Sequence, residues 1–263
     1  MPEPILLRED RDAIATLTLN RPQALNALSD DLLAALSDQI AALRADRSVR
    51  VVILRGAGRA FCAGHDLKEM QASRQAPDGG RAAYRDLFAR CSAVMLGLTR
   101  LPQIVVAQVH GIATAAGCQL VGHCDLAVAA EDARFGVNGV NIGLFCSTPM
   151  VALSRNIPRK RALELLVTGD FLSAPRAAEL GLVNRVSPPD MLEADTRALA
   201  AQIAAKLGRA VAIGKETFYA QAEMGLDDAY AHAGRVMAEN MLFDETREGI
   251  DAFLAKREPE WRQ

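Results

Sequence analysis

Two glycine-punctuated segments carry the residues best suited to chemistry. The first runs Arg59-Ala60-Phe61-Cys62-Ala63-Gly64-His65-Asp66-Leu67-Lys68-Glu69-Met70, the second His110-Gly111-Ile112-Ala113-Thr114-Ala115-Ala116-Gly117-Cys118-Gln119-Leu120. Each follows a run that reads as a buried strand, and a helix-like stretch follows each. Small residues let a ligand approach the main chain, and free N–H groups at a helix start form a positive pocket for a developing oxyanion. One such turn is commonly structural. Two of them, at the ends of adjacent strands, point to a pair of main-chain donors.

The elements that would position these segments read as an α/β architecture. Ala13 to Leu19 alternates with β-branched residues, as a strand does. Val51-Val52-Ile53-Leu54, Ile104 to Val109 and Leu126 to Ala129 are apolar runs of the kind buried on both faces of a sheet, and Ala133 to Val137 is a short possible partner. Ser29 is placed to cap a helix with Asp30 and Asp31 in its first turn, and Leu32, Leu33, Leu36, Ile40 and Leu43 form its apolar stripe. After Ser187-Pro188-Pro189 the chain becomes Ala-rich and helix-periodic, with helices expected over 191–207, 211–224 and 226–256. The division expected is therefore a core of residues 1–190 and a helical region of 191–263. The polar stretch Gln71 to Arg81, with Pro77-Asp78-Gly79-Gly80, reads as a mobile loop.

Bulk properties narrow the function. A formal charge of −2, with acids and bases interspersed, gives no footprint for nucleic acid and no basic face for a membrane surface. No apolar run is long enough to span a bilayer. Acidic residues soon after Met1-Pro2-Glu3 argue against a transit peptide, so a cytoplasmic setting is expected. Five cysteines (Cys62, Cys91, Cys118, Cys124, Cys146) make an odd count suited to reduced thiols. Cys118, His123 and Cys124 lie close together, as do Cys62 and His65, but without metal-site spacing; buried structural cysteines are expected and no metal.

Taken together, Asn20-Arg21-Pro22 with Ala24-Leu25-Asn26-Ala27-Leu28, Phe61-Cys62-Ala63-Gly64-His65-Asp66-Leu67, and Gly117-Cys118-Gln119-Leu120 with Cys124-Asp125 resemble the signature of the crotonase (enoyl-CoA hydratase/isomerase) superfamily. Leu166 to Asp170 and Ala178 to Val183 resemble its later landmarks, so the likeness runs from about Ile14 to the C-terminus. It implies a spiral of repeated ββα units with a C-terminal helical trimerisation region, in a homotrimer or a dimer of trimers. It implies an acyl-CoA thioester as substrate, lyase or isomerase chemistry in fatty acid metabolism, and no cofactor beyond the coenzyme A that the substrate carries. By position, the thioester oxygen would sit on the N–H groups of His65 and Ala116, the second usually a glycine. Coenzyme A contacts would come from Gln23, Ala24 and Leu25, from Ala63, Asp66 and Leu67, with Gly111 and Asn138 lining the site. Phe253 and Lys256 match positions that reach a neighbouring subunit's coenzyme A.

The chain departs from the hydratases at the two positions that move protons. The family's glutamates correspond to Gln119, which cannot exchange a proton near neutrality, and to Gly139, which has no side chain. Three readings follow: an acyl-CoA enzyme with its acid–base group elsewhere, a degenerate acyl-CoA-binding protein, or a hydratase working slowly through water alone. His65 is the candidate for a replacement base, against a histidine simply packed at its turn. Cys146 and Ser147 lie past Gly143-Leu144-Phe145, where a thiolate could attack, against an inert buried cysteine. Asp66 reads as an anchor for its own turn. No Gly-x-Ser-x-Gly is present for a serine hydrolase.

Overall fold

The computed structural model describes residues 3–261. Met1 and Pro2, where the transit-peptide reading starts, and Arg262 and Gln263, the end of the expected helical region, lie outside the described residues. Nine strands are described: β1 (Leu6–Arg11), β2 (Ile14–Leu19), β3 (Val51–Gly56), β4 (Ile104–Val109), β5 (Ile112–Thr114), β6 (Leu126–Ala130), β7 (Arg134–Gly136), β8 (Phe171–Ser173) and β9 (Arg185–Ser187). They make a six-stranded sheet in the order β1-β2-β3-β4-β6-β9 and a three-stranded sheet in the order β5-β7-β8. All neighbours in the larger sheet are parallel except β1 and β2, a hairpin turning through Asp12 and Ala13, both with positive φ. Charged β1 is the mostly exposed edge. β2 lies inside it and is buried along its whole length rather than on one face, so the alternation read there is not the mark of a solvent-facing strand.

The chain climbs as a repeated ββα spiral, alternating between the two sheets. β4 enters the large sheet and β5 the small one before helix 116–123; β6 and β7 repeat the step before helix 147–156. Two isolated parallel bridges, Cys62 with Ala113 and Leu28 with His65, extend the small sheet into the two earlier turns of the spiral. The rungs are therefore stacked in register, and loops at equivalent points come out side by side.

Helices α1 (Asp30–Ala45), α2 (Leu67–Ser73), α3 (Arg81–Thr99), α4 (Ala116–His123), α5 (Ser147–Asn156), α6 (Arg159–Thr168) and α7 (Ala174–Leu180) complete these turns. The Ser29 side chain accepts from Leu32 N–H, and the buried face of α1 is Leu32, Leu33, Leu36, Ile40 and Leu43, as the spacing predicts. The stretch 71–81 differs from expectation. Its first residues finish α2, successive turns follow, and Asp78 accepts from Gly80 and Ala82 to start α3.

Beyond residue 190 come α8 (Leu192–Ala204), α9 (Gly208–Gln221), α10 (Leu226–Met241) and α11 (Asp244–Leu254). The single helix expected over 226–256 is two. The chain breaks at Leu242-Phe243, where Arg209 stacks on the Phe243 ring, the Asn240 side chain bonds Thr246, and Asp244 and Glu245 favour a new helix start. α8 lies across β2, β3, β4 and β6. α9 is tied to the core by the buried Lys215, which donates to Asp125 (2.6 Å) and to the carbonyls of Leu98 and Gln103. α10 contributes no buried residue and α11 only Ala252.

Candidate active site

The Cys62–Ala113 bridge sets the geometry of the site. His65 lies three residues beyond Cys62, and Ala116 three beyond Ala113, so the two fall opposite one another at the ends of neighbouring rungs. The two rungs are joined by hydrogen bonds from Cys62 N–H to the Ile112 carbonyl and from Thr114 N–H to the Cys62 carbonyl, so the segments leave the sheet side by side. Neither N–H has an acceptor among the described residues. Ala116 opens α4, so its donor also carries the positive end of that helix.

Close approach of the two segments needs missing side chains. Gly64 has φ +93°, and a Cβ there would lie 2.9 Å from the Ala115 Cβ and 3.3 Å from the Ala116 nitrogen. A Cβ on Gly117 would collide with the Cys62 carbonyl. Ala115 pays for the same turn in strain: a non-glycine residue at φ 50°, ψ −121°.

The 21–28 turn closes over the first segment. Pro22–Ala24 is a single 3-10 turn, and Leu25 and Asn26 both have positive φ. Ala63 N–H donates to the Leu25 carbonyl (3.0 Å), and Leu28 N–H to the Gly64 carbonyl (2.7 Å). The fully buried Asn26 accepts from Arg21 N–H and donates to the carbonyls of Ala57 and Ala60, locking the turn to the strand-end loop. Asp66 caps α2 through Lys68 N–H and pairs with Arg21 at 3.0 Å. Burial alone would raise its carboxyl; Arg21 and the main-chain donors hold it below the usual range. It is an anchored carboxylate, in keeping with its reading as a turn anchor. Gln23 and Leu67 are exposed beside it, while Ala24, Leu25 and Ala63 are half-buried.

The two positions without carboxylates are unlike each other. Gln119 is buried on α4, one turn beyond Ala116, and its Oε1 has no partner among the described residues. Gly139 sits in a 3-10 turn (Asn138–Ile142), where a Cβ would meet the Leu144 carbonyl and lie 2.9 Å from the Cys146 sulfur. That space is filled. Asn138 beside it accepts from the Thr114 hydroxyl (2.7 Å), joining the second segment to this turn. Cys146 is buried, and burial pushes its thiol up, which leaves it an unreactive packing group. Burial likewise raises Cys62, Cys91 and Cys118 to about 12. Gly111, held by its close approach to Arg59 and Ala60, begins the second segment.

The His65 ring lies edge-on to Phe88 of α3, with centroids 5.5 Å apart. Both ring nitrogens are buried, and neither makes a hydrogen bond of good geometry among the described residues. Burial lowers the imidazole to about 4, against the smaller opposing pull of the Leu28 carbonyl and Asp30. It is therefore neutral at physiological pH. Phe253 and Lys256 are exposed on and just after α11, whose packing is against α10; within one chain the fold does not bring them to His65 and Ala116. Among the described residues no three His, Cys, Asp or Glu side chains converge as a metal would require. Two positioning groups escaped the sequence reading: Asn26, signalled only by its place after Leu25 in a tight turn, and the Asp125–Lys215 pair, whose partners are 90 residues apart.

An enoyl-CoA hydratase/isomerase family model matches residues 9–263. The chain belongs to that family. Enoyl-CoA hydratase domain-containing protein 3, mitochondrial, from Xenopus laevis is 42% identical over 98% of this chain and 86% of its own length. The Mus musculus protein of the same name is 42% identical over 95% and 82%. Among solved structures, an enoyl-CoA hydratase of Mycobacterium smegmatis superposes with a TM-score of 0.96 at 57% identity, covering 99% of this chain and all (100%) of that one. Human enoyl-CoA hydratase domain-containing protein 3 superposes with a TM-score of 0.94 at 40% identity, covering 98% and 100%. The ββα spiral is thus the crotonase fold of the family.

Proposed function

We propose that this family member binds an acyl-CoA thioester with its carbonyl oxygen between the N–H groups of His65 and Ala116, and that it stabilises the enolate formed there. The carrying observation is the pair of unpartnered main-chain donors on neighbouring rungs. As negative charge grows on the oxygen, both donors and the start of α4 hold it without reorganising, which is how such holes lower a barrier. Coenzyme A would run along Gln23, Ala24, Leu25, Ala63, Asp66 and Leu67, and the chemistry calls for no other cofactor. Ordinary hydration has no support from the side chains. It needs a group to activate water and another to deliver a proton, and Gln119 and Gly139 provide neither. His65 carries one of the two donors; neutral, with unpartnered ring nitrogens among the described residues, it is the base in this reading, and its low affinity for protons makes it a weak one.

A second reading is a binding protein that sequesters acyl-CoA, favoured by the loss of both carboxylates with the hole retained. Crotonyl-CoA with purified protein separates these from a plain hydratase: brisk hydration would overturn the roles given to Gln119 and Gly139. Exchange of thioester α-protons into deuterated water, lost in His65→Ala, supports the enolate reading. Stabilisation by acyl-CoA without any exchange supports the binding protein instead.

The same proposal extends to assembly as a homotrimer or dimer of trimers in the cytoplasm. Its support is the apolar surface of α10 and α11, where Tyr230, Met237, Leu242 and Phe253 are each more than 70% exposed. A neighbouring copy covering them would also bring Phe253 and Lys256 toward a coenzyme A it holds.

A further inference from the structure

A separate cavity of about 580 Å³ opens at the carboxyl ends of β2, β3, β4 and β6, and it includes none of His65, Ala116, Gln119 or Gly139. Crevices at this end of parallel strands are where open α/β sheets commonly take ligands. Its floor is a polar row in strand register: Thr18 pairs with Arg55, and Arg55 with Gln108. Side chains in one row share a face, and most of that face is apolar where α8 covers it. Gln108 is only 7% exposed, yet its carboxamide has no hydrogen-bond partner among the described residues. Gln103, buried just before the same strand, donates to the carbonyls of Leu43 and Asp46, though its Oε1 has no partner among the described residues. The Gln108 amide atoms are not among the fully buried unpartnered ones, so the carboxamide opens into the cavity, where a ligand can complete its hydrogen bonds.

The other groups around the cavity are mainly donors. Arg55 is held by the Thr18 hydroxyl (3.0 Å) and by Glu193 (3.4 Å), which aims the guanidinium along the row. Arg59 at the rim has no ion-pair partner among the described residues, and the N–H groups of Gly58 and Arg59 likewise have no acceptor. α8 begins at the cavity wall without a side-chain cap. Asp132 and Glu193 add acceptors to the lining, Glu193 already engaged by Arg55. We propose that this cavity is a second ligand site, for a small hydroxylated organic anion. Its phosphate or carboxylate would lie against Arg59, Gln108 and the Gly58–Arg59 main chain, with hydroxyl groups toward Asp132.

Calorimetry and thermal shift on the full chain, with sn-glycerol 3-phosphate, malate and inorganic phosphate at millimolar concentration, test this. Stabilisation by glycerol 3-phosphate marks the phosphate form of the ligand, and stabilisation by malate the carboxylate form. In either case Gln108→Leu and Arg59→Ser, the latter on the surface and harmless to folding, should each weaken binding by about tenfold or more. Saturating coenzyme A should leave the response in place. No response to any probe overturns the proposal, as does a response that survives both substitutions. A response abolished by coenzyme A also overturns it, because the anion is then occupying the thioester site.

Discussion

The sulfur of Cys146 lies 2.9 Å from where a Cβ on Gly139 would stand, and the Leu144 carbonyl is closer still. A side chain at position 139 would therefore have no room in this turn. Gly139→Glu should destabilise the fold by about 1–3 kcal/mol, as overpacking does. Cys146→Ala should recover little of that, because the nearer obstacle is main chain. Chemical denaturation of wild type, Gly139→Glu and the double variant Gly139→Glu/Cys146→Ala measures it. A fully stable Gly139→Glu protein would show that the turn yields easily.

Gln119 presents the opposite case. Its site already holds a side chain of glutamate's shape, so Gln119→Glu should fold and keep binding acyl-CoA. It should gain little hydratase activity, since a carboxylate works only when its surroundings position it. Turnover of crotonyl-CoA by the single variant, approaching that of ordinary hydratases, would contradict this.

His65 should leave a mark on acid stability. In the unfolded chain its imidazole takes a proton near its ordinary value of 6.5, whereas burial in the fold holds it to about 4. The unfolded state binds more protons between those values, so stability falls as pH drops through that window and is fully present above it. The contribution at stake is up to about 3 kcal/mol. Urea titrations at neutral pH and near pH 5 should show a larger loss for wild type than for His65→Leu. Equal losses would mean that the ring is already solvated.

Ala115 holds φ 50° and ψ −121°, a conformation natural to glycine. Ala115→Gly should raise stability by about 1 kcal/mol, with relief of strain exceeding the added freedom of the unfolded chain. It should leave acyl-CoA binding intact, because the donor N–H belongs to Ala116. A lowered melting temperature would show that the strain is smaller than the dihedrals suggest.

Lys215→Met should cost about 3–5 kcal/mol by stranding Asp125 away from water. The double variant Lys215→Met/Asp125→Asn should recover part of the loss. Both are read by denaturation, and hydrogen exchange should place the loosening in α9 and at the start of β4.

Much of this was legible in the residues. The α1 stripe, the buried runs at Val51, Ile104 and Leu126, and the two glycine-punctuated segments are local patterns with local causes. β1 was missed because Leu6–Arg11 is an edge strand rich in charge, and such strands lack the apolar signature of inner ones. The break at Leu242-Phe243 depends on Arg209, more than thirty residues earlier, so helical spacing runs through it undisturbed. The absence of glutamate at position 139 was visible, but the obstruction was not. It arises when a 3-10 turn folds Leu144 and Cys146 back over Gly139, a relation of backbone path that no residue type announces.

The rung-to-rung match of His65 with Ala116 has one more implication. Both donors are main-chain groups just past a bridged pair of rungs, so their placement follows the backbone path and not any side chain. On the proposed reading, side chains around these two donors can therefore be exchanged or shortened without removing them. A scaffold that stabilised charge with main chain alone, as proposed here, would leave its proton-handling side chains open to drift, and Gln119 and Gly139 would be the outcome in this chain.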